Sequence, residues 1–139
     1  MSATNDGETR ILNQVFKNDA YDYSADATWY VSLHTGDPGE AGSQNTSEAN
    51  YTSYARVAVT RASFSVTASG GVAWAFYTAA VTFPAATGGS STVTYFGIGR
   101  SSTAAAAGTL LFKGACTNIA VTSGVTPSFG IDSLRITLD

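Results

Sequence analysis

Very little of this chain is charged. Asp, Glu, Lys and Arg together make up 12% of its 139 residues, about half the usual share of roughly 25%. The seven basic residues are scattered and outnumbered by ten acidic ones. No basic stripe can neutralise phosphates, which argues against a nucleic-acid partner. A single cysteine, Cys116, excludes an intrachain disulfide and a thiolate metal centre. A single histidine, His34, leaves zinc without a set of ligands. No apolar run approaches the roughly 20 residues that cross a bilayer, and the opening MSATNDGETR lacks the apolar core of a signal peptide. The expectation is a protein made in a cytoplasm, with no membrane partner and no cofactor. Disorder is not expected, because 44% hydrophobic and 12% aromatic content supports a core. The length suits one domain.

What the chain does contain is strand pattern. Thr28–Gly39, TWYVSLHTGDPG, alternates Trp29, Val31 and Leu33 on one face with Tyr30, Ser32 and His34 on the other. Its Asp37-Pro38-Gly39 then reads as a turn. Further strands are expected at 54–60, 63–67, 72–77, 80–83, 92–99, 109–114, 118–121 and 134–138. Gly70-Gly71 marks a turn before the fourth of these nine. The only helical pattern is Thr9–Asn18, where Ile11, Leu12, Val15 and Phe16 form a narrow apolar stripe. Thr9 or Asn5 to Asp6 would cap it, and the stripe would lie on a sheet or a neighbouring subunit. The fold class is mainly β: a single-domain antiparallel β-sandwich of about eight strands with one short N-terminal helix, and a closed barrel as its competitor. Residues 1–10 read as a polar arm able to order on a neighbour, and 11–139 as the domain.

Four places invite chemistry. His34 and Asp37 would make a base with its carboxylate, but no nucleophile is singled out among so many serines and threonines. A strand-end His and a turn Asp more often cap backbone groups. Asp37, Glu40 and Glu48 share the loop 36–53 and could offer oxygens to Ca²⁺, yet lack the calcium-loop pattern. Asp19, Asp22 and Asp26 recur at period three to four, interrupted by Tyr21 and Tyr23. The aromatics Tyr21, Tyr23, Tyr30, Tyr51, Tyr54, Trp74 and Tyr77 could stack on sugars, but large aromatics serve core and interfaces first. Gly88-Gly89 and Gly97-x-Gly99 are turn or strand-end glycines, with no phosphate-loop sequence nearby. Cys116 reads as a small core residue. The chain is expected not to be an enzyme.

Several pieces in fixed order resemble small tailed-phage virion proteins, labelled tail-fibre-like or capsid-decorating. They are ILNQVFKNDAY, WYVSLHTGDPGEAG, Glu48 with SYARVAV, AAVTFPAAT, TVTYFGIGRSSTAAAAGTLLFKGA and the closing VTSGVTPSFGIDSLRITLD. The resemblance implies a non-enzymatic structural protein of a virus particle, in which Pro38, Tyr54-Ala55-Arg56 and Phe83-Pro84 are scaffold landmarks. It carries over no catalytic residue. The expected function is a capsid cement protein that binds the major capsid protein as a dimer or trimer and stabilises the shell. The alternative is a tail-associated or fibre module contacting other tail proteins or host glycans. The candidate partner contacts are Ile11, Leu12, Val15, Phe16, Asp37, Glu40, Glu48, Tyr51, Tyr54 and Arg56.

Overall fold

The computed structural model of the chain describes residues 2–18 and 26–137. Asp19, Tyr21, Asp22, Tyr23 and the end of the expected last strand at Leu138 lie outside the described residues. Among the described residues one α-helix, α1 (Asn5–Leu12), and ten strands form the fold, where about eight strands are expected from the sequence. The strands are β1 (Ser2–Ala3), β2 (Thr28–His34), β3 (Val57–Thr60), β4 (Phe64–Ser69), β5 (Val72–Tyr77), β6 (Val81–Thr82), β7 (Ser91–Gly99), β8 (Leu110–Val121), β9 (Ser128–Phe129) and β10 (Arg135–Thr137). They pair antiparallel throughout, as a five-stranded sheet in the order β1-β8-β7-β2-β3, a three-stranded sheet β10-β5-β4 and a two-stranded sheet β6-β9.

The three sheets share one core. Val31, Leu33, Val59, Val93, Ile98 and Leu111 from the large sheet meet Val81, Phe83, Phe129, Leu134 and Ile136. Two aromatic chains join the layers. Trp29 of β2 lies between Phe112 of β8, at 6.2 Å, and Phe64 of β4, at 5.9 Å, and Phe64 in turn meets Tyr77 of β5 at 5.0 Å. On the other side Phe129 of β9 touches Phe96 at 5.3 Å and Phe83 at 6.2 Å. Such tilted and edge-on pairs add about 0.5–1.5 kcal/mol each beyond the burial of their surface.

The strands expected at 109–114 and 118–121 are one strand, β8. Its partner register jumps between Val93↔Ile119 and Tyr95↔Ala115. Cys116, Thr117 and Asn118 therefore bulge opposite a single β7 residue, and the break in pattern there is a bulge rather than a turn.

The leader is not a loose arm. β1 pairs with β8 through Ser2↔Lys113 and Ala3↔Phe112. The Thr4 hydroxyl donates to the Leu110 carbonyl at 2.5 Å and accepts from the Gly7 N–H at 3.3 Å, which caps α1. Thr4 does this job, in place of the expected Thr9 or Asn5 to Asp6. At Gly7 the helix lies so close to β8 that a Cβ would run into the Leu111 carbonyl oxygen. The helix thus docks through its first turn. Beyond Leu12 it loosens into a π-helical turn, Asn13–Lys17, closed by Asn18 in the left-handed region. The apolar stripe falls largely on that outer end. Ile11 packs against the core, whereas Leu12, Val15 and Phe16 are 55%, 67% and 79% exposed.

Candidate functional site

β2 delivers His34 to the interior. Val31, Ser32, Leu33 and His34 are all fully buried, so both faces of this strand end are covered. Leu33 faces the apolar core. The opposite face is roofed by the chain's own long loop, which returns through Ala49 N–H to the Leu33 carbonyl at 2.8 Å and Thr35 N–H to the Ser47 carbonyl at 2.8 Å. His34 Nδ1 lies 2.8 Å from the Thr46 carbonyl, which can only accept, so Nδ1 carries the proton. Nε2 therefore accepts from the Ser32 hydroxyl, also at 2.8 Å. Asp37, the expected partner of His34, makes its contacts elsewhere. Its carboxylate caps the Gly39 N–H at 2.8 Å and reaches Lys113 Nζ at 3.1 Å. The backbone donor of Gly39, seconded by Lys113, holds the Asp37 carboxyl below its ordinary range.

Burial pushes the His34 imidazole below its ordinary pKa of 6.5, outweighing the Thr46 carbonyl and the charges of Glu48 and Asp37, which act the other way, while Arg56 adds to the lowering. The folded chain therefore prefers neutral His34 more than the unfolded chain does. Its stabilising effect is complete above about pH 6.5 and declines as pH falls below that value towards the lower folded-state pKa. Urea titrations between pH 7.5 and 4.5 are expected to show stability falling by up to about 1.4 kcal/mol per pH unit from this group. His34→Gln, which retains a donor and an acceptor, should flatten that part of the curve. An unchanged slope in the variant would remove His34 as the cause.

Four sequence candidates meet one step further along the loop. Arg56 grips Glu48 with two parallel bonds, Nε to Oε1 at 2.7 Å and Nη2 to Oε2 at 2.9 Å, and both side chains are almost wholly buried. The Tyr54 hydroxyl donates to the same Glu48 Oε1 at 2.8 Å and accepts from the Leu33 N–H at 3.1 Å. Burial raises the Tyr54 phenol far above its ordinary value, which keeps it a donor. Tyr51 is buried against Tyr54 and bonds the Pro84 carbonyl at 3.0 Å. Arg56 also donates to the Ser101 and Ala106 carbonyls at 3.1 and 2.8 Å, and Glu48 accepts from the Ala105 N–H at 2.9 Å. The side chains of Glu48, Tyr51, Tyr54 and Arg56 are thus spent inside the chain, and Glu48 and Arg56 tie loop 35–56 to loop 100–109. They do not form the outer surface, as their place in a polar loop suggested. The loop's length and polarity were legible, but its internal anchoring was not.

One central residue had no signal of its own in the sequence. Gln44 is fully buried, and its carbonyl accepts from the Ser101 N–H at 2.8 Å. It fits only because Gly99 and Gly108 lack side chains, since a Cβ on either would collide with it. Gly97 likewise leaves room for Ser32 and His34. The glycines read as strand ends were the signal: they form the notches into which a polar layer fits.

Of the remaining candidates, Asp37 and Glu40 share the Lys113 ammonium, with Glu40 at 2.9 Å. Among the described residues no group of three or more His, Cys, Asp or Glu gathers as metal ligands would. Cys116 is half-buried beside a cleft lined by β8 and the 128–133 segment, and burial raises its thiol pKa. Leu12, Val15 and Phe16 are the apolar candidates that face outward, and Asp37 and Glu40 are exposed as well, each with about half of its side chain open to solvent beside Lys113. Beside the apolar three, Ile11 borders a cleft of about 420 Å³ floored by Trp29, Phe64, Trp74 and Phe112. The Arg61 guanidinium lies 4.8 Å from the Trp29 ring, and that of Arg135 lies 5.9 Å from Trp74.

No curated protein matches the chain. A family model does, over residues 2–137, which takes in every strand from β1 to β10. The chain belongs to that family, described as podophage GP4 fiber I protein gp80, and is a bacteriophage virion structural protein.

Proposed function

We propose that the protein is a tail-fibre component, seated on another tail protein through its apolar end, and that it acts without catalysis. The family match along almost the whole chain carries the reading, because the family is named for a fibre and not for a shell protein. The exposed Leu12, Val15 and Phe16, next to the cleft bordered by Ile11, supply a surface of the right character. Apolar patches of this kind on a folded domain mark contact sites. A non-catalytic role agrees with the burial of Ser32 and His34, whose mutual hydrogen bond has no path to solvent. A fibre module is preferred to the shell-stabilising role on the strength of the family description.

Copy number tests this. In purified virions, the ratio of this protein to the major capsid protein is expected to match the few sites of a tail. A ratio close to one copy per coat subunit or per capsomer would overturn the proposal in favour of a capsid cement protein.

A further inference from the structure

The hairpin of β4 and β5 stands out for what it lacks. From Ala62 to Gly99 the chain carries no charged residue. Within that stretch β7 lies inside the large sheet, but β4 is the outer edge of the three-stranded sheet. The base of the hairpin packs through Phe64 and Tyr77, while Ser65 to Ala73 are exposed around the Gly70-Gly71 turn, whose φ values are +60° and +84°. Val66, in the middle of the edge, is 76% exposed.

Open edges offer unpaired N–H and C=O groups, and proteins ordinarily guard them with charge, proline or a bulge. Among the described residues the other edges are charged or short: Arg61 follows β3 and β10 carries Arg135, while β1, β6 and β9 are only two residues each, with Pro127 immediately before β9. β4, FSVTAS, has no such guard.

We propose that β4 pairs antiparallel with β4 of a second copy of this chain. The partner follows from the sequence of the edge. Self-pairing sets every residue opposite one from the same strand, so any charge would meet its like, and β4 has none. In an antiparallel pair about a two-fold axis, opposite residues share a face, so the axis must pass through a residue and not between two. Placed on Val66, it sets Val66 against Val66, Phe64 against Ala68 and Ser65 against Thr67. Placed on Thr67, it sets Val66 against Ala68 and Ser65 against Ser69. Either register matches apolar with apolar and hydroxyl with hydroxyl. A two-fold contact uses the same edge on both copies and so closes, leaving none for further growth. The pairing buries Val66 and joins the two three-stranded sheets into one.

Sedimentation of the isolated chain tests this apart from its place in the virion, so failure here would leave the fibre reading standing. A concentration-dependent dimer is expected. It should be lost in Val66→Lys and in Thr67→Lys, with circular dichroism unchanged and, at concentrations where the parent is monomeric, the same melting curve. In a Cys116→Ser background, Val66→Cys or Thr67→Cys should form a disulfide-linked dimer, because paired Cα atoms are roughly 4.5–5.5 Å apart. Ile131→Cys, equally exposed on another surface, should not. A chain that stays monomeric up to about 1 mM, where even a Kd of that size would show, overturns the proposal. So does a dimer that survives Val66→Lys, or one that crosslinks equally through position 131.

Discussion

Arg56→Met should cost about 3–5 kcal/mol of folding stability, the effect of leaving a buried charge without its partner. Glu48 would keep its bonds from Tyr54 and Ala105 but lose both guanidinium contacts, and the Ser101 and Ala106 carbonyls would each lose the Arg56 donor, leaving Ser101 with the long bond from Gln44 at 3.4 Å. The cost arises from the orphaned carboxylate as much as from the broken pair. Glu48→Gln in the same chain removes that charge while keeping an acceptor for Tyr54, so the double variant is expected to regain about 1–3 kcal/mol over Arg56→Met alone, a coupling typical of residues in one network. Urea denaturation of the four proteins closes the cycle. An Arg56→Met penalty under about 1 kcal/mol, the range of an exposed ion pair, would mean the bridge does not hold the loop.

The second large effect lies at Gly99. A Cβ there would strike both the Gln44 side chain and the backbone oxygen of Thr109. The flexible amide can shift but the strand cannot, so Gly99→Ala is expected to destabilise by about 1–3 kcal/mol. The displaced Gln44 would also lose its bond to the Ser101 N–H, adding the roughly 1–3 kcal/mol penalty of an unsatisfied buried amide. Gln44→Ala relieves one of the two collisions. The two substitutions together should therefore cost less than the sum of their separate costs. Strict additivity in thermal or urea melts would show that Gly99 is not kept open for Gln44.

These two sites show where sequence reasoning reached and where it stopped. Strands β2, β5 and β7 were legible because each carries alternation or a long β-branched and aromatic run. β1 and β9, each two residues long, are too short to show a period and exist only because a neighbour pairs with them. The helix was placed late because its apolar residues gather beyond Ile11, whereas its docking turn relies on Thr4 and Gly7, which carry no hydrophobic signal. At the candidate site the sequence picked Glu48, Tyr54 and Arg56 as residues that matter, but not that they matter to one another. Burial of a charge depends on a partner far along the chain, and local pattern holds no record of it. Gln44 was invisible for the same reason, and only the glycines around it hinted at a space to be filled.

The ties between loop 35–56 and loop 100–109 also have a consequence in time. Gln44 with Ser101, and Glu48 with Ala105, each join positions 57 residues apart. Contacts that distant close only after the intervening strands have paired, so they form late in folding. Interactions missing from the transition state bear mainly on the rate of unfolding. The ties from Gln44 to Ser101 and from Glu48 to Ala105 then work as a latch on the finished molecule, contributing little to how fast the chain folds and much to how long it stays folded. For a part that must outlast the cell that made it, lifetime is the quantity that counts.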